Sequence, residues 1–149
     1  MRYANLLREV TSVLDAETNI TARMATIAAM AHDAFDAFFW TGFYLVDETR
    51  SDELVIGPYQ GTLGCLRIKF GQGVCGAAAS SRKTQIVQDV HDFPGHIACD
   101  PRSRSEIVLP VFDKAGGLRA VFDVDSEKLA AFDGDDEAGL RPIVSMVFA

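Results

Sequence analysis

Residues 105–125 read SEIVLPVFDKAGGLRAVFDVD. Two runs rich in Val, Ile, Leu and Phe flank Lys114-Ala115-Gly116-Gly117, a four-residue tip whose glycines supply the positive-φ positions such a loop needs. The stretch predicts a β-hairpin, hence an antiparallel sheet. Alternate residues of a strand share a face, so Asp123 and Asp125 fall together, among the apolar Val121, Phe122 and Val124. Two co-facial acids in an apolar strand repel and lose hydration, unless they bind a cation or share a proton. The bland alternative is an edge strand with its acidic side in water. Glu106 stands at the start of the first strand and joins these acids as a candidate.

Outward from the hairpin, strands continue toward the N-terminus. FWTGFYLV (39–46), ELVIGPYQ (53–60), CLRIKF (65–70) and TQIVQDV (84–90) carry the β-branched and aromatic residues of strands. Residues 47–52 form a polar turn, and Gly61-Thr62-Leu63-Gly64 a Gly-rich one. GQGVCGAAASS (71–81) reads as a loop entering a short helix. Helices stand at the two ends. One runs from Tyr3 to about Leu14, and a second covers 17–35 with Thr18 or Asn19 as its cap. The last lies within 130–148, with Asp133 as N-cap and Pro142 set to kink or shorten it. Trp40 and Tyr44 are placed on the same side as Phe38, as core or pocket aromatics. The pattern is α+β, with an antiparallel sheet and helices packed mainly on one face.

The composition is that of one globular domain: 149 residues, 48% hydrophobic and 23% charged. A net charge of −7 argues against nucleic acid or an anionic membrane as partner. The N-terminal stretch has no apolar segment long enough for a secretory signal, and no apolar run reaches membrane-spanning length. A cytoplasmic protein is the expectation.

Chemistry centres on three cysteines, Cys65, Cys75 and Cys99, an odd number with no CxxC pair. Upstream of the hairpin, FPGHIACDPRSR (93–104) sets Cys99 among His96, Arg102 and Arg104. Cationic neighbours favour a thiolate, so Cys99 reads as a reactive thiol. It reads equally as an inert cysteine on a solvated charged turn. Cys75 sits near the start of a short helix, whose N-terminus lowers a thiol pKa, but the surrounding glycines and alanines favour tight packing. Cys65, at the start of an apparent strand, is of interest as a partner that resolves an oxidised thiol. A metal set of Cys99, Cys75, His96 and His91 lacks the short ligand spacing that zinc sites use, so no metal is expected.

Taken together, WTGFYLV, GPYQG, CLRI, GQGVCGAAA, TQIVQDVHDFPGHIACD, SRSEIVLPVF and FDVDS resemble, in order and cysteine spacing, the free methionine-(R)-sulfoxide reductase family, which is built on a GAF domain. The N-terminal YANLLREVTSVLDAETN is also similar, so the resemblance spans nearly all of residues 1–149. It implies a single GAF domain with a six-stranded antiparallel sheet, a homodimer, no cofactor, and thioredoxin-dependent reduction of free methionine-R-sulfoxide. It implies that Cys99 takes the substrate oxygen and that Cys65 resolves it in a redox-active disulfide. Cys75 matches the family's third cysteine, at the substrate site. Glu106 and Asp125 are then expected at the sulfoxide oxygen as catalytic acids, Asp123 at the substrate ammonium, and Trp40 and Tyr44 in the pocket wall. Gly64 and Lys69 depart from the family pattern near Cys65. The rival reading is a non-catalytic GAF sensor of a small molecule or of thiol redox state, which would not be expected to carry three cysteines in these contexts.

Overall fold

A computed structural model describes residues 2–97 and 99–149, with Ser51 described by its backbone alone. The chain runs α1 (Arg2–Val13), α2 (Ile20–Ala34), β1 (Trp40–Asp47), β2 (Arg50–Gln60), β3 (Arg67–Lys69), α3 (Gly73–Ser81), β4 (Gln85–Val87), a 3₁₀ turn (Val90–Asp92), β5 (Ser105–Phe112), β6 (Leu118–Ser126) and α4 (Gly134–Val144). The six strands form one sheet in the order β3-β2-β1-β6-β5-β4. Every pairing is antiparallel.

Local chemistry sets the helix ends. The Asn19 side chain accepts from the Ala22 N–H and caps α2. Asp133 and Asp136 form a reciprocal capping box at the start of α4. Pro142 lies inside α4, and the helix ends two residues later at Val144. Ser145 N–H still bonds to the Arg141 carbonyl past the proline, and the chain continues in turns to Phe148. Tyr3 ties the two ends of the chain together: its hydroxyl donates to Asp136 Oδ1 at 2.6 Å. Gly139 makes room for this contact, because a Cβ there would run into the Tyr3 ring.

The sheet has two unlike faces. Strand alternation sends Phe43, Ile107, Leu109, Val111, Ala120, Phe122 and Val124 to one side. There they pack on Leu6 and Val10 of α1, Met24, Ile27 and Ala31 of α2, and Leu140 and Ile143 of α4. The opposite face carries Trp40, Tyr44, Leu54, Val108 and Val121, covered by Val74, Cys75, Ala78 and Ala79 of α3. Three helices cover one face and the smallest covers the other, leaving part of that second face free for a site.

Several expectations need correction. Phe38 precedes β1 and packs with the three-helix core, away from Trp40 and Tyr44; strand alternation does not extend into the loop before the strand. The polar turn after β1 is only Glu48-Thr49, because Arg50 already pairs with Asp47. Arg50, Ser51 and Asp52 are strand residues despite their polarity. The expected strand 65–70 shrinks to Arg67–Lys69, leaving Cys65 in a loop. The expected strand 84–90 is only Gln85–Val87.

Candidate active site

β5 and β6 place the acids. In the sheet register Glu106 sits directly opposite Asp125, and Asp125 opposite Trp40 on the next strand. One step along, Asp123 lies between Val108 and Gly42, and beyond it Val121 pairs with Tyr44. Like charges directly across a sheet destabilise it, and here two of the three are almost sealed from water. Glu106 is 5% exposed and Asp123 4%. Burial and then the neighbouring Asp125 hold the Glu106 carboxyl well above its usual range. Burial and then Glu106 do the same to Asp123, and burial and then Asp123 to Asp125. Each carboxyl therefore favours its protonated form more than a free one does, and the three titrate as a unit. Asp123 Oδ1 is buried without a hydrogen-bond partner.

Cys75 projects from the first turn of α3 onto the same acids. It is buried and takes no part in the disulfide. Burial, then Asp123, pushes its thiol up, so it is a poor thiolate. Tight packing, as expected, surrounds it: a Cβ on Gly76 would stand 2.5 Å from the Lys69 carbonyl oxygen. The Cys75 sulfur and one carboxylate oxygen each of Glu106 and Asp123 lie within 4.8 Å of one another, close enough to surround a small cation. Of the metal set weighed from the sequence, His96 and Cys99 line the same cavity as Cys75, and His91 does not. His91 is exposed and paired with Asp89.

The aromatic wall is a stack. Trp40 lies between Tyr44 and Tyr59, with ring centroids at 5.7 and 5.0 Å. Its indole N–H donates to the Thr62 carbonyl at 2.8 Å, fixing the loop that carries Cys65. Burial, then Asp123, pushes the Tyr44 hydroxyl up, so it remains a donor. Gly64 is required by this wall, since a Cβ there would approach Trp40 and Ile56 to 2.8 Å.

Across the mouth, Cys65 and Cys99 form a disulfide with Cα atoms 5.5 Å apart. Cys99 is exposed and Cys65 half-buried. A second link joins the same two loops: Thr62 Oγ1 donates to Asp100 Oδ2 at 2.7 Å. Beside them lies a partly open cavity of about 40 Å³, lined by Trp40, Tyr44, Cys75, Cys99 and the acids Glu106, Asp123 and Asp125. The first turn of α3 (Gly73, Val74) also lines it, as do Gly64, His96, Ile97, Asp100 and Ser103. Every candidate residue except Cys65 lines this cavity, and Cys65 is bonded to one that does.

The expected cationic surroundings of Cys99 differ. Arg102 turns to Asp100, bonding it through both Nε and an Nη, and covers the Phe39 ring. Arg104 is exposed and does not line the cavity. Of the three expected cations only His96 faces the cavity, with Nε2 3.7 Å from Glu106 Oε1. Burial lowers the His96 pKa, favouring its neutral form. The Thr62–Asp100 link and the Gly64 contact went unforeseen, because both join segments far apart in sequence.

Among the described residues, no helix is long and apolar enough to cross a membrane. A GAF domain model matches residues 6–147. The chain is 48% identical to "GAF domain-containing protein A" of Dictyostelium discoideum, over 98% of this chain and 90% of that protein. It is 41% identical to the free methionine-R-sulfoxide reductase of Escherichia coli (strain K12), covering 97% and 86%. The structure of free methionine-R-sulfoxide reductase from Neisseria meningitidis in complex with its substrate superposes with a TM-score of 0.91 at 48% identity, covering 98% of this chain and 87% of that one. On the fold, the cysteine and carboxyl arrangement and these similarities, the chain belongs to the free methionine-R-sulfoxide reductase family of GAF domains.

Proposed function

We propose that this protein reduces free methionine-R-sulfoxide to methionine. The observation that carries the reading is the buried carboxyl cluster, with Asp123 Oδ1 unpartnered, in the same small cavity as one sulfur of a disulfide. A free amino acid brings an ammonium, which suits Asp123, and a carboxylate, which suits the first turn of α3. The leading N–H groups of a helix have no intrahelical acceptor and favour an anion. The relatives' names supply the substrate and the R configuration.

The reaction starts from the dithiol. The Cys99 thiolate attacks the sulfoxide sulfur while a carboxyl of the Glu106–Asp125 pair, its pKa raised by burial, protonates the oxygen, giving an S–S-bonded intermediate that carries an S–OH group. The hydroxyl then moves to the Cys99 sulfur as the S–O bond and the new S–S bond both break, giving a Cys99 sulfenic acid and methionine. The thiol loses two electrons and the sulfoxide gains them. Cys65 then condenses with the sulfenic acid, releasing water and forming the Cys65–Cys99 disulfide. A dithiol such as thioredoxin reduces it in two exchange steps. Cys75, a buried and protonated thiol, packs beside the substrate and does not react.

In the oxidised protein the cavity beside the disulfide is about 40 Å³. Substrate is taken up in the dithiol state, before the Cys65–Cys99 bond forms. Homodimer formation and a cytoplasmic setting complete the proposal. The test is NADPH consumption with thioredoxin and its reductase, comparing free R, free S and N-acetyl methionine sulfoxide at equal concentration. Free R is expected to turn over, with the acetylated compound poorer by orders of magnitude, because a site built around paired polar groups rejects analogues that lack them. Comparable rates on the acetylated compound would remove the ammonium-binding role of the acids.

A further inference from the structure

Six large apolar side chains are exposed among the described residues, and three of them bracket the disulfide. Leu63 is 78% exposed and Leu66 71%, on either side of the Gly64-Cys65 pair, and Ile97 is 37% exposed two residues before Cys99. The other three, Val13, Ile20 and Leu129, stand at the end of α1, the start of α2 and the loop after β6. Single exposed apolar residues are ordinary, but a group of them around one functional feature marks an interaction surface. Two of the three, Leu63 and Ile97, also form the rim of the cavity that holds Cys99. On the adjoining turn Asp100 and Arg102 pair with each other.

We propose that Leu63, Leu66 and Ile97 form the docking surface for a dithiol protein that reduces the Cys65–Cys99 disulfide. The occupant must carry a thiol, because the rim surrounds a disulfide whose Cys99 half is exposed. It must present an apolar surface around that thiol, because three exposed apolar side chains lie beside the disulfide in sequence. The chain's net charge of −7 disfavours a small anionic thiol in its place. One thiolate of the partner attacks the exposed Cys99 sulfur. The Cys65–Cys99 bond breaks, and Cys65 leaves as a thiolate that takes a proton. The partner's second thiol then attacks the mixed disulfide, frees Cys99 and closes the partner's own disulfide. Two electrons pass from partner to protein, and no other reactant is needed. This deepens the proposed turnover cycle and rests on its reading of the disulfide as the oxidised product.

The experiment uses the full chain in its oxidised form and no sulfoxide, so its outcome is separate from that of the substrate assay. The second-order rate constant for reduction is measured with thioredoxin and with dithiothreitol, for the natural protein, Leu66→Glu and Leu66→Met. Leu66 does not line the cavity. The expected result is a roughly tenfold fall for Leu66→Glu with thioredoxin, an unchanged rate with dithiothreitol, and near-natural behaviour of Leu66→Met. Val13→Glu, at a distant exposed apolar site, should change neither rate. An equal rate for Leu66→Glu and the natural protein with thioredoxin would overturn the proposal, as would an equal fall with both reductants. If Leu66→Glu instead alters only the sedimentation of the protein, the rim joins copies of this chain and the proposal also falls. A single-cysteine thioredoxin variant should trap a mixed disulfide on the peptide carrying Cys99; trapping on Cys65 would overturn the assigned point of attack.

Discussion

Residues in this site take their properties from burial more than from their immediate neighbours in sequence. Asp123 is an ordinary strand aspartate until α3 and the Trp40 wall enclose it. Its folded pKa is then raised, by burial first and by Glu106 second. The unfolded carboxyl ionises near pH 3.9. Above that pH the unfolded chain sheds its proton first, so this group lowers stability as pH rises toward its folded pKa. Asp123→Asn is therefore expected to melt above the natural protein at pH 8 and level with it near pH 4, as thermal scans at the two pH values would record. A lower melting temperature at pH 8 would mean that the carboxylate is ionised and satisfied. The same variant should act mainly on KM, through the lost ammonium contact. Glu106→Gln and Asp125→Asn should instead lower kcat, since one lost acid catalyst costs about 10²–10⁴-fold. Near-normal kcat in both would place the proton source elsewhere. The co-facial acids were legible from the two-residue period of β6. The pairing of Arg102 with Asp100 was not, because a charge beside a cysteine in sequence need not face it in space.

At the scale of elements, two loops meet over one sheet face. Thr62 and Asp100, 38 residues apart, bond at 2.7 Å beside the disulfide. This contact should hold the loops in register when the sulfurs are apart. Thr62→Val is expected to release the first methionine at the natural rate but to form the disulfide several-fold more slowly, with Thr62→Ser restoring the rate; trapping of the sulfenic acid over time measures it. Unchanged disulfide formation would make the bond a passive contact. Gly64→Ala should weaken substrate binding, because its Cβ would press Trp40 at 2.8 Å. Titration of the reduced variant with methionine sulfoxide checks this, and natural affinity would show that the wall yields. The hairpin 105–126 and the caps Asn19 and Asp133 were readable because each is set by residues within a few positions. Cys65 looked like the first residue of a strand because CLRIKF is apolar at alternate positions. Arg67–Lys69 pair with β2, Leu66 and Phe70 add one backbone bond each to Ile56 and Asp52, and Cys65 lies in the loop before them, where it reaches Cys99.

For the whole molecule, the sheet separates stability from chemistry. One face is sealed by three helices around Phe43 and Phe122, whose ring centroids lie 4.8 Å apart. Phe122→Ala should cost about 3–5 kcal/mol and lower Tm by roughly 6–20 °C. It should leave KM near the natural value at low temperature, since Phe122 points away from the cavity. A change in KM comparable to that of Asp123→Asn would show that the two faces are coupled. The other face holds a carboxyl cluster that weakens the fold and suits a cation. The most direct test of that account is one turnover of Cys65→Ser, reduced, mixed with free methionine-R-sulfoxide and no reductant. The account predicts about one methionine per active site, then arrest, with one added oxygen on the peptide carrying Cys99. No methionine released, or the oxygen found on the peptide carrying Cys75, would contradict it.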